Sequence, residues 1–195
     1  MMRVILMGPP GAGKGTQGEI LAHQWDVPRI APGDIFRAEI KKGSELGLRV
    51  KSYSDAGKLV PDEVVIDLMR QQLTDDGAKA GWILDGFPRT IPQAEALDIL
   101  LEELAQPCDR VVNLEVPEEI LVQRLHRRSQ EQGRVDDTAE VIANRLAEYF
   151  AKTRPLLEFY GPRVSHVDGT SPMSDVTIAI CGCLGLSLTQ EGTCS

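Results

Sequence analysis

Residues 3–17 read RVILMGPPGAGKGTQ: an apolar run from Arg3 to Met7, a glycine-rich loop from Gly8 to Gly15, and the start of a helical pattern at Thr16. Gly8, Gly13, Lys14 and Thr16 stand in the spacing G-x-x-x-x-G-K-x-[ST]. This is one residue longer than the common phosphate-loop spacing, because Gly15 separates Lys14 from Thr16. The physics is unchanged. Glycines let backbone N–H groups turn inward around phosphate oxygens, and the helix that follows points its positive end at them. Lys14 reaches the β and γ phosphates as a point charge, and the Thr16 hydroxyl is available to phosphate or to a magnesium shell. A loop of this kind holds a nucleoside triphosphate. What the held phosphate is for (hydrolysis, sensing or transfer) has to come from the rest of the chain.

Outward from the loop, short apolar runs alternate with longer amphipathic stretches, which predicts a parallel sheet wrapped by helices. Strands are expected at Arg3–Met7, Pro28–Ala31, Trp82–Leu84, Arg110–Val116 and Val164–Val167. Helical periodicity runs over Thr16–Trp25, Pro61–Leu73, Ile91–Leu104, Glu118–Arg128 and Ala139–Tyr149. Pro61 and Pro117 stand where helices begin, with Asp62-Glu63 and Glu118-Glu119 suiting the positive N-terminus. Two stretches fall outside the alternation. Between Pro32 and Val60 the pattern is of short helices split by Gly43, Gly47 and Gly57, and Ser129–Asp137 is polar and strand-free. Both are expected to be appendages on a nucleotide-binding core. The tail from Gly185 is short and polar and is expected to fray.

The 195 residues suit one domain, 42% apolar and 26% charged, with a formal net charge of −8. That balance argues against nucleic acid or an anionic membrane as a partner. No run approaches the roughly 20 apolar residues of a membrane span. The N-terminus leaves no room for a cleavable signal before the first strand, so a cytoplasmic location is expected. Cys108, Cys181, Cys183 and Cys194 lack the spacing of a four-thiolate metal site, so reduced, structural thiols are expected.

A second phosphate-handling site is expected at Ile83–Gln93, ILDGFPRTIPQ. Asp85 ends an apolar strand, where parallel sheets place functional groups, and its carboxylate suits the water ligands of magnesium. Arg89 follows a Phe87-Pro88 turn; a second phosphorylated substrate needs such an arginine, whereas a simple hydrolase does not. Gln93 carries a donor and an acceptor, which suits a base edge, adenine in particular. Taken singly, Arg89 is as well read as a solvated or capping side chain. Arg124, Arg127 and Arg128 end one helix, Arg134 lies in the polar stretch, and Arg145 on the next helix. Arg134 and Arg145 also suit local ion pairs with neighbouring acids. Converging with Lys14, these cations would instead neutralise two polyphosphates, the requirement for passing a phosphoryl group on.

With the loop, Asp85-Gly86-Phe87-Pro88-Arg89-Thr90 and Gly133-Arg134-Val135-Asp136-Asp137 in order, the chain resembles the adenylate kinases of the nucleoside monophosphate kinase family. The resemblance runs from Met2 to about residue 180. It implies a P-loop NTPase fold: a three-layer α/β/α domain with a five-stranded parallel sheet in the order 2-3-1-4-5 and two mobile flaps. The core would comprise residues 1–30, 61–127 and 139–186, with an AMP-binding flap over 31–60, a short lid over 128–138 and a frayed tail over 187–195. The reaction implied is ATP + AMP ⇌ 2 ADP, serving adenine nucleotide balance, with Mg2+ on the triphosphate. The partners implied are the small molecules ATP, AMP and ADP, and a monomer is expected.

By motif match, the resemblance places Gly11, Ala12, Gly13, Lys14, Gly15 and Thr16 on the ATP phosphates, Arg124 and Arg128 on the ATP side, and Ser171 by its adenine. Arg37 would grip the AMP phosphate, Lys58, Leu59 and Val60 would lie against AMP, and Gly86, Phe87, Pro88, Arg89 and Gln93 would hold its phosphate and adenine. Lys14, Asp85, Arg89, Arg128, Arg134 and Arg145 form the implied catalytic set, with Arg134 and Arg145 also on AMP. No residue ligates metal directly; magnesium would be held through phosphates and waters near Thr16 and Asp85.

Three departures bear on this. Family members carry Ser/Thr-Thr-Gly-Asp where this chain has Ala31-Pro32-Gly33-Asp34, and Pro32 has neither hydroxyl nor N–H, so any AMP contact there must use its carbonyl. Arg127 takes a position that is commonly glycine. Only five residues separate Arg128 from Arg134, none a cysteine, which identifies a short-lid form without zinc. The nearest rival is a UMP/CMP-type kinase, which follows its GFPR with asparagine; Thr90 and Gln93 favour adenine. A GTPase switch would need an Asn-Lys-x-Asp stretch, which is missing from the sequence.

Overall fold

The computed structural model describes residues 2–132 and 138–186. Its frame is a five-stranded, all-parallel sheet: β1 (Arg3–Met7), β2 (Arg29–Ile30), β3 (Trp82–Asp85), β4 (Arg110–Glu115) and β5 (Val164–Asp168), in the order β2-β3-β1-β4-β5. This is the expected order. Leu6 lies opposite Asp85 on one side and Val112 on the other, so loop and carboxylate leave the sheet at neighbouring points of its C-terminal edge. Parallel strands buried on both faces read as continuous apolar runs, which is why β1, β3 and β4 are legible in the sequence.

Alternate residues of the strands feed two cores. Ile5, Met7, Trp82, Leu84 and Val111 pack beneath α4 (Asp62–Thr74) and α5 (Ile91–Glu103). Val4, Leu6, Ile83, Val112 and Leu114 pack beneath α1 (Lys14–Trp25), α6 (Glu118–Gln132), α7 (Ala139–Glu148) and α9 (Met173–Cys183). The buried amide of Gln106 at this core is satisfied. Trp82 donates its indole N–H to Gln106 Oε1 at 2.9 Å, and Gln106 donates to the Leu73 carbonyl.

Two helices, α2 (Pro32–Lys42) and α3 (Glu45–Asp55), form the excursion between β2 and α4. Pro32 fits as the first helical residue, where a missing N–H costs nothing. Gly43 and Gly57 end the helices with positive φ of 67° each. Gly47 corrects the expectation that it splits a helix. It lies inside α3, and a Cβ there would stand 2.2 Å from the Glu39 carbonyl oxygen, so glycine is needed for α3 to approach α2. The carboxyl end of the excursion reaches α7, where Asn144 donates to the Ala56 carbonyl at 3.2 Å.

Helix α6 runs four residues past the expected end at Arg128, supported by the Arg127–Glu131 ion pair at 2.7 Å. Beyond α7 lie a π-helical stretch (Tyr149–Thr153), α8 (Leu156–Tyr160) and α9. Cys108 and Cys183 are free thiols, but Cys181 is disulfide-bonded, which corrects the expectation of reduced cysteines throughout. Among the described residues, no helix is long and apolar enough to cross a membrane.

Candidate active site

The glycine-rich loop leaves β1 in a conformation that side chains resist. Gly8 has φ 137°, and a Cβ on it would press the Leu114 carbonyl oxygen at 2.7 Å, so the turn closes against β4 only with glycine. Gly13, at φ 101°, caps α1 in the left-handed region without a side-chain bond, which leaves the first N–H groups of α1 aimed into the loop. Lys14 bends back over the loop, donating to the carbonyls of Gly8 at 2.7 Å and Pro9 at 2.9 Å. Burial, with Arg89, Arg128 and Arg29 nearby, lowers the Lys14 ammonium pKa to about 8 against the opposing pull of Asp85. A polyphosphate placed among these cations would reverse that shift.

Asp85 ends β3 almost fully buried, and its partner is a residue that no sequence motif singles out. Arg29, in the two-residue strand β2, donates to Asp85 Oδ2 from Nε at 3.0 Å and from Nη2 at 2.5 Å, while Nη1 donates to Asp34 Oδ2 at 2.8 Å. One guanidinium thus ties the end of the sheet to the first turn of α2. Asp85 and Asp34 together hold the Arg29 guanidinium in its charged form despite burial. Arg37 pairs with the other oxygen of Asp34. The only signal in the sequence is a lone cation inside a strand destined for a buried sheet, five residues before an aspartate. Both bonds from Arg29 fall on Oδ2, and Oδ1 of Asp85 carries no hydrogen bond to the described residues.

Arg89 folds back across its turn, Nε donating to the Gly86 carbonyl at 2.6 Å, while Thr153 donates its hydroxyl to the Arg89 carbonyl at 2.9 Å. Burial, with Arg145 and Arg37 close by, lowers the Arg89 pKa, a penalty that an anion would relieve. Gln93 is buried at 2% exposure, with its amide held between Asp62 and the Arg89 N–H. Arg124 reaches the loop after β5, donating to the Gly169 carbonyl at 2.9 Å, which brings it beside Ser171.

These groups line one cleft of about 770 Å³ along the C-terminal edge of the sheet, within the usual range of ligand sites. Gly11, Ala12, Gly13, Lys14, Gly15 and Thr16 form its floor; Pro32, Arg37, Lys58, Leu59 and Val60 line it from the excursion; Asp85, Gly86, Pro88, Arg89 and Gln93 follow β3; Arg124, Arg128, Arg145 and Ser171 close the far side. Phe87 does not line it. Its side chain, 2% exposed, sits in the first core and anchors the turn that carries Arg89. Arg134 lies outside the described residues. Arg127 borders the cleft, but it is largely exposed and its guanidinium pairs with Glu131.

Residues 6–164 match a family model described as adenylate kinase. The chain belongs to the adenylate kinase family. It is 52% identical over 182 residues to an adenylate kinase of Cyanothece sp., covering 92% of this chain and 93% of that one. It is 48% identical to one of Leptospira biflexa, with 92% and 98% covered, and 46% identical to one of Thermobifida fusca, with 90% and 94% covered. As an adenylate kinase family member the protein is a phosphotransferase, exchanging a phosphoryl group between ATP and AMP to give two ADP.

Proposed function

We propose that the cleft takes ATP on the glycine-rich loop and AMP beneath the α2–α3 excursion, and passes the γ-phosphoryl between them in line. The observation that carries this reading is the convergence of Lys14, Arg37, Arg89, Arg128 and Arg145 on one cleft of a protein whose net charge is −8. The acceptor is a phosphate oxygen already ionised at neutral pH, so no general base is required. Catalysis then rests on alignment and on neutralising charge as it moves. Lys14, released from the loop carbonyls, follows the transferring group. Arg89 and Arg37 hold the AMP phosphate, and Arg128, Arg134 and Arg145 meet the charge between the two nucleotides. Arg124 and the Gly169–Ser171 loop border the ATP base; Lys58, Leu59, Val60 and Gln93 border AMP, with Pro32 contributing only its carbonyl.

Thr16 and Oδ1 of Asp85, the oxygen that Arg29 does not hold, suit the water shell of a magnesium ion carried in on the triphosphate. When bound, it would supply positive charge to the β and γ oxygens. The excursion over 31–60 and the short lid over 128–138 would exclude water, which otherwise competes as acceptor. We further propose a monomer, working in the cytoplasm, on ATP, AMP and ADP.

The test is a coupled assay of ADP formation from ATP with a panel of AMP, UMP, CMP and IMP. AMP is expected to give the highest kcat/KM. A faster reaction with UMP or CMP would replace this reading with a pyrimidine monophosphate kinase.

A further inference from the structure

Asp62 starts α4 and Thr90 caps α5, and each has an ordinary local role. Asp62 suits the positive helix end, and Thr90 Oγ1 accepts from the Gln93 N–H at 3.3 Å. The two helix starts are also joined into a ring. The Thr90 hydroxyl donates to Asp62 Oδ2 at 3.0 Å, Gln93 Nε2 donates to Asp62 Oδ1 at 2.7 Å, and Gln93 Oε1 accepts from the Arg89 N–H at 2.8 Å.

A carboxylate can only accept and a backbone N–H can only donate, so these two partners distinguish the ends of the Gln93 amide. Rotating the amide by half a turn would set Nε2 against an N–H and Oε1 against a carboxylate. Both hydrogen bonds would be lost inside a buried site, and two repulsions gained. One orientation is therefore imposed. Among the described residues each end keeps one unused position: the second N–H of Nε2 and the second lone pair of Oε1.

Adenine offers a donor at its 6-amino group beside an acceptor at N1, and an amide that presents O and N–H in fixed places pairs with that edge. A 6-oxopurine offers the reverse, an acceptor at O6 beside a donor at N1, and pairs only with the rotated amide. We infer that Asp62 is a specificity-determining positioning residue: by fixing the Gln93 amide against rotation, it makes the acceptor site accept adenylate and reject 6-oxopurine monophosphates. The inference rests on the proposed reading of Gln93 as the residue facing the AMP base, and it assigns the selectivity of that contact to a residue which need not touch the nucleotide.

The test compares kcat/KM for AMP with that for IMP, together with KM for ATP, in the unmutated protein and in Asp62→Ala, Asp62→Ser, Asp62→Asn and Gln93→Ala. Serine keeps a good helix-start residue but is too short to reach Gln93, so it serves if the alanine variant folds poorly. The asparagine of Asp62→Asn retains an oxygen that can accept from Nε2. Asp62→Ala and Asp62→Ser should lower the AMP-to-IMP ratio about tenfold, the equivalent of one net hydrogen bond, with KM for ATP nearly unchanged. Asp62→Asn should keep most of the ratio. A wild-type ratio in Gln93→Ala would overturn the reading of Gln93 itself. A lowered ratio there, with a wild-type ratio in Asp62→Ala and Asp62→Ser, would overturn the role of Asp62 alone. An Asp62→Asn ratio as low as that of alanine would assign the effect to charge and overturn the orientation argument.

Discussion

Lys14 rests its ammonium on the carbonyls of Gly8 and Pro9, surrounded by three arginines and one carboxylate, and its pKa falls to about 8. Polyphosphate stabilises the charged form, so the bound pKa lies above the free one. Between those two values, binding must take up a proton. Affinity for ATP is therefore full below pH 8 and weakens as pH rises above it. Calorimetry at about pH 8.5, in two buffers of different ionisation enthalpy, should show proton uptake that is absent in Lys14→Met and vanishes near pH 6.5. Binding without proton uptake in the unmutated protein would place the lysine elsewhere. The same variant should lose about 10²–10³-fold in kcat, the usual cost of removing a charge contact made in the transition state. Arg29 poses the converse problem. Its guanidinium is held by Asp85 and Asp34, and without it Asp85 would be a buried carboxylate that has lost its hydrogen-bonded cationic partner.

Helices and strands differ in how much of themselves they declare in sequence. The strand-loop-helix unit at Arg3–Trp25 is legible because loop chemistry and burial on both sheet faces act on adjacent residues. Asp85, Arg89, Gln93, Arg124 and Arg145 are legible as types at motif positions, and the structure gathers them into one cleft. What is not legible depends on partners distant in the chain. The bridging role of Arg29 needs Asp85, 56 residues on, and the orientation of Gln93 needs Asp62, 31 residues back. Gly47 is the plainest case. Read locally it breaks a helix, but its cause is the Glu39 backbone crossing at a distance no Cβ tolerates. In an open helix interior, glycine to alanine stabilises by about 1 kcal/mol. Here the sign should reverse, with Gly47→Ala destabilising by about 2 kcal/mol through overpacking of α2 on α3. Urea unfolding checks the sign, and KM for AMP should rise while KM for ATP holds. A stabilised variant would mean that α2 and α3 can part without cost.

Over the whole molecule, charge and ligand stand in apparent conflict. The protein carries a net charge of −8 and its substrates are polyanions, so the long-range field opposes encounter. Attraction comes from the cations gathered in the cleft, which act over a few ångströms and in reduced solvent. These two contributions respond oppositely to salt. Screening sets in over a Debye length of about 10 Å at 0.1 M ionic strength, so added salt weakens the distant repulsion and raises affinity if the net charge governs binding. If the cleft governs, salt competes with the phosphates for the arginines and lowers affinity. The second outcome is expected. Between about 50 and 300 mM KCl the dissociation constant of two adenosines joined through a polyphosphate should rise severalfold, whereas adenosine alone should change little. Arg89→Ala should flatten this dependence, because it removes one of the cations that salt would compete with. Tighter binding of the joined dinucleotide at higher salt would mean that the arginines lining the cleft do not meet its phosphates, and the transfer geometry proposed for Lys14, Arg89 and Arg145 would fail with them.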